Sequence, residues 1–319
     1  MQSDAYVELA DALAEHYPTE SDRPVLVGPD TGRGGDPTPS QPQVWLESFL
    51  GGQGSKDLYA VTNHNYVQIN STNYNEPATL AYPDMDWFGP TIERGAPLAQ
   101  LWAGENGPHN GGDDGTCGDG SVCGTYASSM WYADEMGARA RAGFAQFQRQ
   151  DLVGGRYGLV LTPHDSEALS ATDAVTLTAD FWVAFLWKRV MGGDVFRATL
   201  SDHHEGTLKA YLHRGAAPSP WAAEGSWGIV LINLSSAAAR RVSIGDASAS
   251  KGTAQSWTLT AGADGPLGIP VLMNGQAVPA TISGSGTIEE IPVAAHTWDL
   301  GEAGAALTLP PESITFVSF

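Results

Sequence analysis

A change of periodicity at residue 194 constrains this chain more than any other feature of its sequence. Up to Gly193, short apolar runs that end in glycine and polar residues alternate with stretches of helical spacing. The runs are Pro24-Val25-Leu26-Val27-Gly28-Pro29-Asp30, Leu58-Tyr59-Ala60-Val61-Thr62, Leu101-Trp102-Ala103, and Phe144 to Val153. Each is short and bounded by turn residues, as a buried strand is. Between them, Tyr6 to His16 places Tyr6, Leu9, Leu13 and His16 on one helical face, and Trp45 to Leu50 forms a turn or two before Gly51-Gly52. Tyr126 to Met136 reads as a helix with Thr125 as N-cap and Gly137 as its stop, and about Leu177 to Met191 as another, stopped by Gly192-Gly193. Asn70 to Pro97 reads as a variable connecting segment. Four strand-then-helix units of this kind imply a parallel sheet with helices outside it. Beyond Asp194 the pattern changes to period two, in Thr207-Leu208-Lys209-Ala210-Tyr211-Leu212, Gly228-Ile229-Val230-Leu231-Ile232 and Arg241-Val242-Ser243-Ile244, with Gly- and Pro-rich turns as far as Ile314-Thr315-Phe316-Val317. That part reads as an antiparallel β-sandwich. The expectation is an α/β domain over residues 1–193 followed by an all-β domain over 194–319.

Within the first part, the run Leu101-Trp102-Ala103 leads into Gly104-Glu105-Asn106-Gly107 and then into glycines. Glu105 is the last acidic side chain before the loop, carried by an otherwise uncharged strand. In barrels of parallel strands the carboxyl ends of the strands hold the catalytic side chains. A solvated carboxylate at a strand end is the plain alternative. The glycines that follow favour a site, because they let a ligand approach the backbone. The strand 58–62 likewise delivers Asn63, His64, Asn65 and Tyr66 at its end. His64 is either a partner for a nearby carboxylate or a packed core histidine.

Charge narrows the partners. The chain carries 16 basic and 36 acidic residues, a formal net charge of -20. Such a surface repels phosphate backbones and has no Lys/Arg run for a long sulfated polyanion, so nucleic acid is excluded as a partner class. Cys117 and Cys123, six positions apart, form either a local disulfide in a rim loop, which implies an oxidising compartment, or two free thiols. They do not make a zinc site without further ligands. The acidic residues of the same loop lack the spacing of a calcium loop. His203-His204-Glu205 reads as a solvated turn. Asn70-Ser71-Thr72 and Asn233-Leu234-Ser235 are glycosylation sequons that matter only in a secreted chain. The first residues have neither the basic start nor the apolar core of a signal peptide, and no apolar span approaches the ~20 residues of a membrane helix.

Several stretches, in order and spacing, resemble glycoside hydrolase family 79, the heparanases and plant heparanase-like β-glucuronidases. Val27-Gly28-Pro29-Asp30 resembles that family's fifth barrel strand. Thr62-Asn63-His64-Asn65-Tyr66 resembles its sixth-strand motif, with His64 and Tyr66 in common. Trp102-Ala103-Gly104-Glu105 resembles the seventh strand, whose Glu is the nucleophile. Arg149-Gln150 with Gly154-Gly155-Arg156-Tyr157-Gly158-Leu159 is similar to the plant-type motif near the eighth strand. Leu272-Met273-Asn274-Gly275 and Pro310-Pro311-Glu312-Ser313-Ile314-Thr315-Phe316-Val317 resemble the ending of the C-terminal β domain.

The resemblance covers nearly the whole chain, and it implies the second half of a (β/α)8 TIM barrel, four βα units, followed by an antiparallel C-terminal β-sandwich. It implies a retaining β-glucuronidase that hydrolyses O-glycosyl bonds of glucuronic-acid-containing glycans and uses no cofactor or metal. Glu105 would be the nucleophile, supported by His64 and Tyr66. Gln150, Gly154, Gly155, Tyr157, Gly111 and Gly112 would bind the substrate, Tyr157 and the glycine amides holding the sugar carboxylate. The family's acid/base Glu belongs to an Asn-Glu motif before the Gly-Pro-Asp strand, upstream of Met1. Asn75-Glu76-Pro77 has the right letters but follows the sixth strand. The expectation is therefore a nucleophile-bearing chain, inactive alone, that works with a separate N-terminal half on a glucuronide-containing glycan or glycoconjugate. Were it active alone, Glu76 and Asp30 are the nearest acids by sequence. The resemblance implies an extracellular, lysosomal, vacuolar or membrane-associated setting. The rival readings are a catalytically incomplete carbohydrate-binding or vestigial protein and a related barrel glycosidase acting on a different sugar.

Overall fold

The structure, a computed structural model, describes residues 2–32, 41–110, 117, 121–153, 156–162, 175–215, 226–244, 253–279, 281–282, 293–300 and 306–319. In chain order the elements begin with α1 (Gln2–His16), β1 (Leu26–Thr31), α2 (Gln41–Leu50), β2 (Leu58–Tyr66), α3 (Met85–Gly95), β3 (Gln100–Gly107), α4 (Tyr126–Arg141) and β4 (Phe144–Arg149). There follow β5 (Val160–Leu161), β6 (Val175–Leu177), α5 (Ala179–Val190), β7 (Met191–Phe196), β8 (Leu208–Gly215), β9 (Trp227–Asn233) and β10 (Arg240–Val242). The chain then continues through β11 (Thr253–Ala261), β12 (Val271–Met273), β13 (Gln276–Ala277), β14 (Thr281–Ile282), β15 (His296–Asp299), β16 (Leu307–Leu309) and β17 (Ser313–Ser318). Two compact units result. One comprises Met1–Tyr66, Tyr82–Gly107 and Ala142–Gln150, and the other Val67–Ala81, Pro108–Arg141 and Asp151–Phe319.

The first unit is built on a four-stranded sheet in the order β1-β2-β3-β4, in which every pair is parallel. Its strands coincide with the four apolar runs, the fourth ending at Arg149 and not at Val153. Leu58, Val61, Ala103 and Phe144 of the sheet are buried against Leu46, Phe49 and Leu50 of α2 and Phe88 and Ile92 of α3. Burying each such large side chain is worth about 1.5–3 kcal/mol, and this stripe anchors the sheet. Phe88 stacks on Phe144, with ring centroids 5.6 Å apart. The helix α3 lies inside the segment expected to be a variable connection. Gly89 and Pro90 disguise it, since Pro removes an N–H from a helix interior. The apolar face of α1 is rotated from the expected one: Ser3, Tyr6, Val7, Ala10, Leu13 and Ala14 are covered, and Leu9 and His16 are exposed. Contacts across α1 select that face. Ser3 Oγ accepts from Gly54 N at 2.9 Å, and Tyr6 packs edge-on against Phe49 at 5.3 Å.

The second unit is organised by an antiparallel sheet in the order β13-β12-β11-β17-β9-β8-β7, with β15 also paired to β11. The period-two pattern works because both faces are covered. Leu208, Ala210, Leu212, Ile229, Leu231 and Val317 pack on Leu307, Leu309 and Val242 of a small β10–β16 ladder. Alternate residues point the other way, toward α4 and α5. Tyr211 Oη donates to Asp134 Oδ1 at 2.6 Å, Lys209 Nζ lies 2.9 Å from Asp134 Oδ2, and Trp187 packs on His213 and Phe316. Thus the layer opposite the large sheet is the short ladder on one side and two helices on the other. A third small sheet, β14-β6-β5, completes the described strands.

Two helix boundaries differ from the expected ones. α4 runs through Gly137 to Arg141. A Cβ at Gly137 would stand 2.2 Å from Tyr211 Cδ2, so this glycine is required by packing against β8 and is no stop. Thr125 does not cap α4: its Oγ1 donates to Val122 O at 2.7 Å, and the first free N–H groups, those of Tyr126 and Ala127, donate to Gly268 O and Pro266 O. α5 is capped by Thr178, whose side chain accepts from Phe181 N, and gives way directly to β7 at Met191. Gly192 lies inside that strand, where a Cβ would meet Arg214 O at 2.2 Å.

Cys117 and Cys123 are joined as a disulfide. His203-His204-Glu205 forms a tight turn with φ of 50° at His204 and 57° at Glu205. No group of three His, Cys, Asp or Glu side chains arranged to hold a metal ion occurs among the described residues. Asn233 of the second sequon is fully buried, and its Nδ2 donates to Ala238 O and Pro310 O, so it is closed to glycosylation in the folded chain. No helix of the described residues is long and apolar enough to cross a membrane.

Candidate active site

The carboxyl ends of β1, β2 and β3 bring Asp30, His64, Tyr66 and Glu105 together. The parallel register pairs His64 with Glu105 and Tyr66 with Gly107. That register shifts by one residue between Asn63 and His64, so Gly104 is the extra residue and Glu105 is turned relative to Ala103. A side chain at Gly104 would place its Cβ 2.3 Å from Asp30 Oδ1 and 2.9 Å from Thr62 Cβ. Only glycine lets the Asp30 carboxylate reach across β2 to β3. Gly107 serves Tyr66 in the same way, since a Cβ there would stand 2.5 Å from Tyr66 Cε1.

Both oxygens of Glu105 are addressed. Tyr66 Oη donates a hydrogen bond to Oε1. His64 Nε2 lies 3.6 Å from Oε2 and 2.9 Å from Asp30 Oδ2. That nitrogen is shielded from solvent, and neither carboxylate lies on its N–H axis, so both are close polar contacts, not aligned hydrogen bonds. His64 and Glu105 are half-buried and Asp30 is exposed, which suits groups that meet a ligand. Behind them, Asn63 Nδ2 donates to Asp84 Oδ2 at 2.9 Å and Asn106 Nδ2 to Gln148 O at 3.1 Å. Both Asn63 and Asn106 are fully buried. Such buried polar bonds fix the strand ends that carry the site. Asp30 also faces the Tyr6 hydroxyl, whose pKa is raised by burial first and by the Asp30 carboxylate second.

Of the residues expected to bind substrate, Gln150 follows β4, and its backbone N–H donates to Asn106 O at 2.9 Å. Tyr157 is buried in the second unit. It sits in the segment 156–161, which is held by Thr178 Oγ1 donating to Leu159 O at 3.0 Å and by close approach of Gly124 to Arg156 O. Gly111, Gly112, Gly154 and Gly155 lie outside the described residues. Asn75, of the Asn-Glu pair set aside above, donates to Glu312 Oε1 at 2.8 Å. Sequence reasoning named Asp30 only as an alternative acid and missed its pairing with His64. It also missed Gly104 and Gly107 as close-approach positions. The signals were present: a Gly-Pro-Asp at a strand end, and glycines on both sides of Glu105.

A carboxylate at a parallel-strand end, with one oxygen bonded by a phenol and the other beside an imidazole, can attack an electrophilic carbon. Comparison with known proteins bears on which kind. No family model matches the chain. Heparanase from Bos taurus is 26% identical over 300 residues, 91% of this chain and 49% of that protein. The chain is a sequence relative of the heparanases. Heparanase-like protein 1 of Arabidopsis thaliana is 27% identical over 234 residues, 70% of this chain and 37% of that protein. Baicalin-beta-D-glucuronidase of Scutellaria baicalensis is 25% identical over 186 residues, 54% of this chain and 31% of that enzyme. The chain thus spans about half the length, or less, of these curated relatives. Solved glycoside hydrolases share its fold. A 4-O-α-L-rhamnosyl-β-D-glucuronidase from Fusarium oxysporum 12S superposes with a TM-score of 0.63 at 14% identity, over 100% of this chain and 64% of that one. A family 51 α-L-arabinofuranosidase from Bifidobacterium longum gives 0.61 at 15% identity, over 100% and 63%.

Proposed function

We propose that this chain carries the nucleophile of a retaining glycosidase that hydrolyses β-linked glucuronic acid in a glycan or glycoconjugate. The observation that supports it most is the pairing of Glu105, on the end of β3, with Tyr66 and His64, on the end of the adjacent parallel strand β2. In this reading residues 1–193 form part of a (β/α)8 barrel and residues 194–319 its β-sandwich companion. Retaining glycosidases use two carboxyl groups about 5–5.5 Å apart, one as nucleophile and one as acid, then base. Glu105 attacks the anomeric carbon while the leaving-group oxygen takes a proton from the acid. Water, deprotonated by the same group, then releases the sugar from the Glu105 ester. Tyr66 holds Oε1, which orients the carboxylate so that Oε2 attacks. Tyr157 and the amides of Gly154 and Gly155 are assigned to the sugar carboxylate, with Gln150, Gly111 and Gly112 completing the binding set.

The test is Glu105→Gln in the assembled protein, assayed on an aryl β-glucuronide. Loss of a covalent nucleophile costs on the order of 10³-fold or more. The variant should lose turnover with its fold intact, and a rate within about tenfold of wild type would reject the assignment. A carbohydrate-binding protein without turnover is the rival reading; it predicts glucuronide binding with no hydrolysis by the unaltered protein.

A further inference from the structure

We infer that Asp30 is a positioning residue that controls Glu105 through His64, by holding the His64 Nε2–H away from the attacking oxygen. The inference rests on the reading of Glu105 as nucleophile and adds a fourth residue to that site. One ring nitrogen faces two carboxylates, Asp30 Oδ2 at 2.9 Å and Glu105 Oε2 at 3.6 Å. A lone pair there would repel both, so Nε2 carries the proton. A single N–H can bond well to only one acceptor at a time. The nearer carboxylate is that of Asp30.

The local backbone is shaped for this contact. Asp30 has a φ of 65°, a left-handed conformation uncommon outside glycine that Asp tolerates at a cost. Beside it, Gly104 leaves the space that Asp30 Oδ1 occupies. The carboxylate's charge acts on the Tyr6 hydroxyl of α1, on β2 the carboxylate meets His64, and on β3 it fills the space beside Gly104. It therefore reaches past its own neighbour strand toward the one that bears the nucleophile.

The chemistry explains why that reach is useful. Tyr66 already donates to Oε1 of Glu105. A second donor on Oε2 would bond the lone pair needed for attack and weaken the nucleophile. With Asp30 Oδ2 the nearer of the two carboxylate oxygens, the His64 N–H is drawn off Oε2 in the free enzyme. When Glu105 becomes an ester its negative charge is gone, and the same N–H remains with Asp30. When the carboxylate is regenerated, the His64 N–H stays beside it without a full hydrogen bond. No proton leaves His64 in this role; its N–H only changes acceptor.

Two measurements on the same set of variants test this. Asp30→Asn removes the charge while keeping a residue that tolerates the left-handed backbone. In protein labelled with ¹⁵N-histidine, long-range ¹H–¹⁵N NMR reports the His64 ring, assigned by loss of its signals in His64→Gln. Asp30→Asn should move the His64 Nε2 signal, while Glu105→Gln should leave it nearly in place. The opposite ranking would show that Glu105 holds the proton and would overturn the inference. In the second measurement, the rate of covalent labelling by an activated 2-fluoro-β-glucuronide is read in a double-mutant cycle. Asp30→Asn should slow labelling about tenfold when His64 is present and have little effect in the His64→Gln background. Equal losses in both backgrounds would mean that Asp30 acts independently of His64 and would overturn the inference. Absence of labelling at Glu105 in every form rejects the nucleophile reading instead, and the NMR ranking still decides where the His64 proton resides.

Discussion

Gly137→Ala puts the packing of α4 on the large sheet to a sharp test, because two effects of known size oppose each other. In an exposed helix interior, Gly to Ala stabilises by about 1 kcal/mol. Here the new Cβ would stand 2.2, 2.3 and 2.7 Å from three atoms of the Tyr211 ring. The ring must retreat by roughly 1 Å to restore van der Waals contact. It is not free to do so, since Tyr211 is buried and its hydroxyl donates to the fully buried Asp134 carboxylate at 2.6 Å. Overpacking costs about 1–3 kcal/mol, and a hydrogen bond to a charged group is worth about 1.5–3 kcal/mol. The clash wins, with a net loss of about 1.5–5 kcal/mol after the helix gain is counted. The melting temperature, followed by circular dichroism or calorimetry, should fall by roughly 5–15 °C. In a Tyr211→Ala background the same substitution should instead stabilise by about 1 kcal/mol. A Gly137→Ala variant as stable as wild type, or the same loss in both backgrounds, would refute the reasoning.

Two further outcomes follow from single side chains. His213 is buried, its pKa is lowered by desolvation, and the hydrogen bond to Gly192 O opposes that shift only in part. The unfolded chain therefore binds the proton more readily, so stability is full above about pH 6.5 and falls as pH drops below it. His213→Gln should flatten the loss of melting temperature between neutral and mildly acidic pH, and an unchanged slope would discount the group. Tyr157→Phe, under the proposed assignment to the sugar carboxylate, should weaken glucuronide binding roughly tenfold or more while sparing neutral glucosides. Equal losses on both substrates would make Tyr157 a packing residue.

The four parallel strands were legible because each is a short apolar run closed by glycine, and period two announced the antiparallel sheet. The two helices expected after Cys123 were also legible, but not their ends. Gly137 and Gly192 look like stops because glycine commonly ends helices; both are instead glycines that a neighbouring strand approaches closely, and only the partner's position reveals that. The helix α3 escaped notice because Pro90 breaks the expected pattern while Phe88 and Ile92 still bury its face. At the site, Glu105, His64 and Tyr66 could be named from their strand ends. Asp30 could not be joined to them, since its contact with His64 depends on a left-handed backbone and on the space left at Gly104. Local sequence carries no direct record of such a crossing.

The central claim, that Glu105 forms a covalent bond to the sugar, is tested most directly by trapping that bond. A 2-deoxy-2-fluoro-β-D-glucuronide with a dinitrophenolate leaving group needs little help from a general acid, and its fluorine slows release of the sugar. After incubation, peptide mass spectrometry should find the fluoroglucuronyl mass on Glu105, and Glu105→Gln should carry none. An adduct on a different carboxylate, or equal labelling of the Glu105→Gln variant, would contradict the account.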